Sequence, residues 1–486
     1  MSPISGANLD LAIELPARGS RRVLRELHRQ LRAAIVGGRL RPGLRLPASR
    51  ELASALNVSR NTVVAAYDLL LAEGYVSAKS RAGTIVADFL SAPSSRERAA
   101  GASACDSRLS AAWHGSSALI PTATRRGCRF DFAVGIPDWE SFPFASWHRL
   151  EGRALRAAAR AHPHYGEPQG RLALRKAIAG HISFARAIAC APEEIVVTAG
   201  AQQAFDLIAR ILVTPGKTTV AVEEPGYVPL HNVLVAAGAR IVPVPVDSEG
   251  LRVERLPQNA KLIFVTPSHQ FPLGVHLSLP RRRALLDFAR AKSAVIIEDD
   301  YDGEFRYAGK PLDALQTLDR HGAVFYVGTF SKSMFPALRL GFVIAPPWAR
   351  EALVAAKQLS DWHAPLMAQD TLAAFIAEGH LARHVRKMRK IYGERREVLQ
   401  KTLAHCFGER LRVVGIGAGL HLAAHLDPSI KTAGLIDRAR EASVALDPVQ
   451  RFAVGGRKSH GLVFGYGAIG ADRIVEGVQL LARIMK

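Results

Sequence analysis

One stretch constrains this chain more than any other. An apolar run, Ala323-Val324-Phe325-Tyr326-Val327, reads as a buried strand. Behind it comes Gly328-Thr329-Phe330-Ser331-Lys332-Ser333-Met334-Phe335-Pro336-Ala337-Leu338-Arg339-Leu340-Gly341. The strand ends in small and hydroxyl residues, then offers one lysine, Lys332, with Ser331 beside it and Arg339 seven positions on. A lysine so placed suits an imine with an aldehyde cofactor, and Ser331 and Arg339 suit a phosphate clamp. From this stretch alone, a surface loop carrying Lys and Arg reads equally well. The upstream residues separate the two readings.

Ala294-Val295-Ile296-Ile297 is another buried run and delivers Glu298-Asp299-Asp300-Tyr301 to its C-terminal end. Open α/β sheets bind ligands at those ends. Pyridoxal phosphate needs an acid against its ring nitrogen, because the protonated ring is the electron sink. Asp299 is the candidate, and Tyr301 is placed to donate to the cofactor's ring oxygen. Ile195-Val196-Val197-Thr198 is followed by Ala199-Gly200-Ala201-Gln202-Gln203. Gly200 permits a tight turn into a helix, whose first amides, at Ala201 and Gln202, form an anion site. After the run Thr219-Val220-Ala221-Val222 comes Glu224-Pro225-Gly226-Tyr227, and Tyr227 can stack on a pyridine ring. Each feature alone has a structural reading; all four in one order, each at a strand end, point to one site.

Residues from about 130 onward resemble the fold-type I aminotransferases. Thr266-Pro267-Ser268-His269-Gln270-Phe271-Pro272, Glu298-Asp299-Asp300-Tyr301-Asp302 and Gly328-Thr329-Phe330-Ser331-Lys332 are similar to one branch, the MocR-type regulators. The resemblance implies that Gln270 joins the cofactor site and that Tyr165, in Tyr165-Gly166-Glu167-Pro168, reaches the cofactor phosphate of a partner subunit in a homodimer. It also implies a substrate-carboxylate arginine before the penultimate strand. Gly461 takes that position, ahead of Leu462-Val463-Phe464-Gly465-Tyr466, while Arg451, Arg457 and Lys458 lie near it but out of register. Pro229, two residues after Tyr227, offers no charge to an effector carboxylate. This speaks against transamination of ordinary amino acids as the main role.

The MocR resemblance requires a DNA-binding half at the N-terminus. Val23 to Val36 is apolar at helical spacing and stops at Gly37-Gly38. Ser49 to Leu56 reads as a second short helix. Asn57-Val58 turns the chain and Ser59 caps a third helix, expected to bury Val63, Tyr67, Leu70 and Leu71 and to show Arg60, Asn61 and Thr62 outside. Two short strands, Gly74 to Ala78 and Gly83 to Ala87, read as a wing. This is a winged helix-turn-helix, which sets its recognition helix into the major groove N-terminus first. Leu46-Pro47-Ala48-Ser49-Arg50-Glu51-Leu52 and Val58-Ser59-Arg60-Asn61-Thr62-Val63 resemble the GntR type. That resemblance implies DNA contacts from Arg45, Ser49, Arg50, Ser59, Arg60, Asn61, Thr62 and, in the wing, Arg81.

The expected architecture is therefore α/β. A winged helix-turn-helix spans 20–88 and a linker rich in Ala, Ser, Arg, Gly and Pro spans 89–128. An aminotransferase-like domain spans 129–486, with a doubly wound, mostly parallel sheet and a small C-terminal α+β subdomain from about 380. The formal net charge of +21 favours polyanion partners. Residues 1–90 carry 13 Lys and Arg against 7 Asp and Glu, so most of the excess lies elsewhere. Part of it falls on Gly379-His380-Leu381-Ala382-Arg383-His384-Val385-Arg386, read as the start of a solvated or dimer-facing helix. Four scattered cysteines, Cys105, Cys128, Cys190 and Cys406, suggest neither a disulfide framework nor a metal site. No signal peptide or membrane span is expected, which implies a cytoplasmic protein. The functional expectation is a pyridoxal 5′-phosphate-dependent regulator of double-stranded DNA promoters, a homodimer that senses the cofactor or an amino effector. The alternative is a working aminotransferase with an accessory DNA-binding domain.

Overall fold

A computed structural model describes residues 13–16, 20, 22–79, 83–87, 113, 127–161, 164–307, 313–415, 417–430, 434–456 and 459–485. The chain divides into two compact units, residues 1–108 and 109–486. Arg81, Arg457, Lys458 and the linker apart from Trp113, Gly127 and Cys128 lie outside the described residues.

In the first unit, helices α1 (Val23–Val36), α2 (Ser49–Ala55) and α3 (Arg60–Ala72) precede an antiparallel pair, β1 (Val76–Lys79) and β2 (Gly83–Val86). Leu27, Leu31, Leu52, Val63, Ala66 and Leu70 form its core. The expected face of α3 needs one correction. Leu71 is 44% exposed and Ala66 is buried instead, because the buried phase runs 63, 66, 67, 70 at steps of three and four. Tyr67 lies on that face, and its phenol donates to the Pro47 carbonyl at 2.9 Å, tying α3 to the connector before α2.

The second unit begins with β3 (Phe130–Asp131) and is built on an eight-stranded sheet. Its strands are β4 (Ile195–Thr198), β5 (Thr219–Glu224), β6 (Arg240–Asp247), β7 (Gly250–Leu251), β8 (Leu262–Val265), β9 (Val295–Asp300), β10 (Val324–Thr329) and β11 (Gly341–Ile344). The order across the sheet is β4-β11-β10-β9-β8-β5-β6-β7. From β10 through β9, β8 and β5 to β6 all pairs are parallel, whereas β11 runs antiparallel to both β10 and β4. Helices cover both faces, so β4, β5, β8, β10 and β11 are buried along their whole length and are mostly apolar, with polar residues gathered at the strand ends. Because β4, β5, β8, β9 and β10 share one direction, their C-terminal ends meet on one edge.

A smaller sheet is made of β12 (Leu411–Val414), β13 (His421–Leu426), β15 (Asp447–Pro448) and β16 (Gly461–Gly465), in the order β12-β13-β16-β15. β14 (Val444–Ala445) pairs with β3. β16 is the last strand of the chain, not the penultimate one; helix Ala471–Ile484 follows it.

Candidate cofactor site and nucleic-acid interface

Thr329 closes β10 inside the sheet. Its Oγ1 accepts from the Ser331 amide at 3.2 Å and lies 3.0 Å from the Ser331 hydroxyl, which turns the chain sharply. Lys332 then projects across the strand ends, and its Nζ donates to the Gly135 carbonyl at 2.7 Å. Gly135 has φ +75°, and a Cβ built on it would stand 2.8 Å from Nζ. A side chain at 135 would displace the lysine. Burial pulls the Lys332 pKa down, opposed by Asp302 and Asp299. The amine is thereby biased toward its neutral, nucleophilic form.

β9 carries Asp299 into the same space. Asp299 is buried and its Oδ1 has no hydrogen-bond partner. Burial, with Asp300 and Asp302 close by, raises its pKa well above the carboxylate range, and Lys332 opposes this only in part. An unpartnered buried carboxyl fits a cationic ring N–H. Tyr301 follows on the same edge. Its phenol donates to the His269 carbonyl at 3.0 Å and lies 2.9 Å from His269 Nδ1, which also meets Asp302 at 2.9 Å. His421 from β13 lies beside His269 with its ring tilted at 48°, and the ligand atoms of His269, Asp302 and His421 all lie within 4.8 Å of one another.

A second part of the site is built at Gly200. This glycine has φ +80° and ψ 176°, a region open essentially to glycine alone, and it caps helix Ala201–Leu212 without any side-chain cap. The first amides of that helix, including those of Ala201 and Gln202, therefore face outward. Arg339 lies against the turn, donating through Nη2 to the Ala199 carbonyl at 2.6 Å. Tyr227, between Phe205 and Phe271 in edge-to-face contacts, borders a cavity of about 650 Å³ that Gln202, Phe452 and Arg451 also line.

In the first unit, Ser59 accepts from the Thr62 amide at 3.1 Å and caps α3. Arg50, Arg60 and Asn61 are exposed, and Ser49 and Thr62 half-exposed, around the start of α3. Arg60 Nε reaches Ser49 Oγ at 3.5 Å. Arg45 is exposed and runs along the wing, its Nε 3.0 Å from where a Cβ on Gly83 would be. A cationic rim around a helix N-terminus, with a two-stranded wing beside it, is built for a DNA groove.

Two family descriptions match this division. Residues 24–86 match the bacterial regulatory proteins of the gntR family, and residues 130–461 match aminotransferase class I and II. The chain is 37% identical over 462 residues to the probable rhizopine catabolism regulatory protein MocR of Rhizobium meliloti, covering 94% of this chain and 92% of that one. The chain belongs to the MocR-type regulators. It is also 32% identical to the pyridoxine biosynthesis regulator PdxR of Corynebacterium glutamicum, over 96% of each chain. The second unit is similar in structure to the α-aminoadipate aminotransferase LysN of Thermus thermophilus, solved with N-(5′-phosphopyridoxyl)-L-leucine. The TM-score is 0.70 at 28% identity, over 78% of this chain and 97% of that one.

A MocR-type regulator is a DNA-binding transcription regulator carrying an aminotransferase fold, and the cofactor of that fold is pyridoxal 5′-phosphate. The residues present fit it: a lysine with lowered pKa, an orphaned buried carboxyl, and a glycine-turned helix start under an arginine. The structure brings Lys332, Asp299, Tyr301 and Tyr227 to one edge of the sheet, and Gly200, Ala201, Gln202, Ser331 and Arg339 lie on the turns that leave β4 and β10 at that same edge.

Two further expected residues have surroundings of their own. Gln270 is buried: its Nε2 meets Glu223, the Pro225 carbonyl and the Phe271 carbonyl, and its Oε1 accepts from the Leu273 amide. These bonds tie it to Glu223, whose carboxyl acts on both Asp299 and Tyr301. Tyr165 is 72% exposed and touches Trp362. Sequence reading missed Gly135, which lies 197 positions from Lys332, and the His269–Asp302–His421 cluster. His269 and Asp302 stood inside the quoted motifs, but nothing local paired them. Arg451, out of register in the sequence, lines the cavity beside Tyr227 and pairs with Asp447 at 2.5 Å. No helix among the described residues is long and apolar enough to cross a membrane.

Proposed function

We propose that this regulator is a cytoplasmic homodimer whose aminotransferase-like unit senses pyridoxal 5′-phosphate, or an amino compound presented to it, and changes the grip of the winged helices on promoter DNA. In this reading Lys332 is the attachment lysine, Asp299 faces the ring nitrogen, Tyr301 the ring oxygen and Tyr227 the ring face. Ser331, Arg339 and the amides after Gly200 take the phosphate, joined by Tyr165 from a second copy. Gln270 joins the cofactor site from the loop that follows β8. Arg45, Ser49, Arg50, Ser59, Arg60, Asn61 and Thr62 face DNA, with Arg81 in the wing. The domains follow the 20–88, 89–128 and 129–486 division.

When bound, the cofactor supplies an aldehyde that condenses with amines and a ring that withdraws electrons. The chain's part is to hold Lys332 neutral, keep the ring nitrogen protonated through Asp299 and cover the ring face with Tyr227. The observation that carries the regulatory reading is the coexistence of a complete lysine–aspartate set with a complete winged helix. The aminotransferase reading has the same lysine and aspartate, but the one arginine among the described residues lining the cavity beside Tyr227 is paired with Asp447.

The test is DNA affinity with and without cofactor, in wild type and in Lys332→Ala. Coupling is reciprocal, and a shift of about 1–3 kcal/mol is expected on cofactor addition, absent in the variant. Equal affinities in all four measurements, with fast multiple-turnover transamination of an amino acid, would establish the enzyme instead.

A further inference from the structure

The second unit carries a charged surface that the cofactor site does not use. Helix His380–Phe407 exposes Arg383, Arg386, Lys387, Arg389 and Lys390 within eight residues. Arg386 and Lys387 lie three and four residues after Arg383, and Lys390 lies four and three residues after them, so the four share a face, and they line a shallow groove of about 530 Å³ with Ile391 and Glu394.

Among the described residues none of the five makes an ion pair. Arg383 donates to the Glu378 carbonyl, Lys387 to the Ser141 carbonyl and Arg389 to the Glu304 carbonyl. Of the two acids nearest in sequence, Glu378 is occupied by Arg153 and His380, and Glu394, at the far end of the groove, makes no ion pair with Lys390 among the described residues. Exposed arginines elsewhere on this unit do find carboxylates, as in Arg129–Glu476, Arg171–Asp370 and Arg210–Asp206. Neighbouring like charges on a helix repel, and Arg383 sits at the end where the helix dipole disfavours cations. The fold thus keeps a cationic face that costs it stability.

A surface of this kind fits a polyanion. A second copy presenting this same face is a poor occupant, since its five cations would meet their own counterparts. The winged helix of the same chain brings one polyanion to the molecule. We propose that Arg383, Arg386, Lys387, Arg389 and Lys390 form a second, sequence-independent contact with the phosphate backbone of duplex DNA flanking the site read by the winged helix. The proposal rests on the winged helix binding DNA. Its consequence is that the aminotransferase-like unit itself holds DNA, so that binding needs more duplex than the recognition helices cover.

The experiment uses full-length, cofactor-loaded protein and the triple variant R386Q/K387Q/K390Q, in which glutamine keeps helix propensity and removes charge. The probes are two duplexes from the region upstream of the chain's own gene. One is trimmed to the half-sites protected by the winged helices; the other extends about two helical turns, ~20 bp, further on each side. The slope of log affinity against log salt is measured on both. Each lost phosphate contact lowers the slope by about 0.9, so the variant should lose about 3 per protomer on the extended duplex and nothing on the trimmed one. Cofactor absorbance should match wild type, and the melting temperature should be equal or higher, since like-charge repulsion on the helix is relieved.

Arg60→Ala, by contrast, should weaken both lengths. Wild-type slopes that are equal on the two duplexes overturn the second contact and leave the winged-helix reading standing. Unchanged slopes in the triple variant, with loss of the dimer in sedimentation, assign this face to a second copy and overturn the proposal. Absence of binding to either duplex overturns both readings.

Discussion

A Cβ placed on Gly200 would stand 3.0 Å from both terminal nitrogens of Arg339. The glycine and the arginine thus form the two walls of one anion cradle. Gly200→Ala should cost about 1–3 kcal/mol, through the backbone conformation and the displaced guanidinium. The loss should fall on the phosphate: affinity for pyridoxal 5′-phosphate drops, while affinity for pyridoxal, without phosphate, changes little. Equal losses for the two ligands in a fluorescence titration would dissolve the cradle.

Lys332 is expected to carry the cofactor covalently. Borohydride treatment of loaded wild type should fix the added mass on the peptide containing Lys332, and the visible absorption of the protein should vanish. Lys332→Ala should show no fixed mass but keep weak phosphate-dependent binding through Ser331 and Arg339. A borohydride adduct on another lysine in wild type would reassign the site.

Asp299 gives a prediction with a definite sign. Burial first, then Asp300 and Asp302, raise its folded pKa. A carboxyl with a raised folded value favours the native state below the ordinary carboxylate range, and that contribution is lost as pH rises through the raised value. Asp299→Asn should therefore raise the melting temperature of the cofactor-free protein at pH 8, relative to wild type, and lower cofactor affinity. A variant that is less stable than wild type at pH 8 would show that Asp299 is needed as an anion even without the ring.

Arg60 stands exposed at the first position of α3, with Ser49 Oγ 3.5 Å from its Nε. Arg60→Ala should cost about 1–3 kcal/mol on the operator if it reads a guanine edge, and much less on random duplex. Equal losses on both would make Arg60 a backbone contact.

Much of this was legible in sequence because periodicity and strand-end chemistry are local. α1 spans Val23–Val36 as its apolar spacing implies. The strands ran further than their apolar letters: β5, β9 and β10 continue through Glu224, Asp300 and Thr329, because hydrogen bonding to neighbouring strands does not stop where hydrophobicity does. Leu71 missed its face by one step of the helix. The reversal of β11 is not written in Gly341-Phe342-Val343-Ile344, since composition carries no direction. Gly135 and His421 reach the site across large sequence separations, and only the packed sheets make them neighbours of Lys332 and His269.

The reversed strand has a bearing on what the chain can vary. Thr329 pairs with Gly341, so the turn holding both Lys332 and Arg339 is clamped at its two ends by the sheet. Gly341 in turn approaches Gly200 so closely that a Cβ on it would lie 2.9 Å from the Gly200 Cα. The span from the Lys332 amine to the Arg339 guanidinium is therefore a fixed length of chain, measured out between two paired residues. Most loops at the surface absorb a gained or lost residue. This one cannot, because a single insertion between 330 and 340 would move the amine relative to the anion cradle while the sheet stayed where it was.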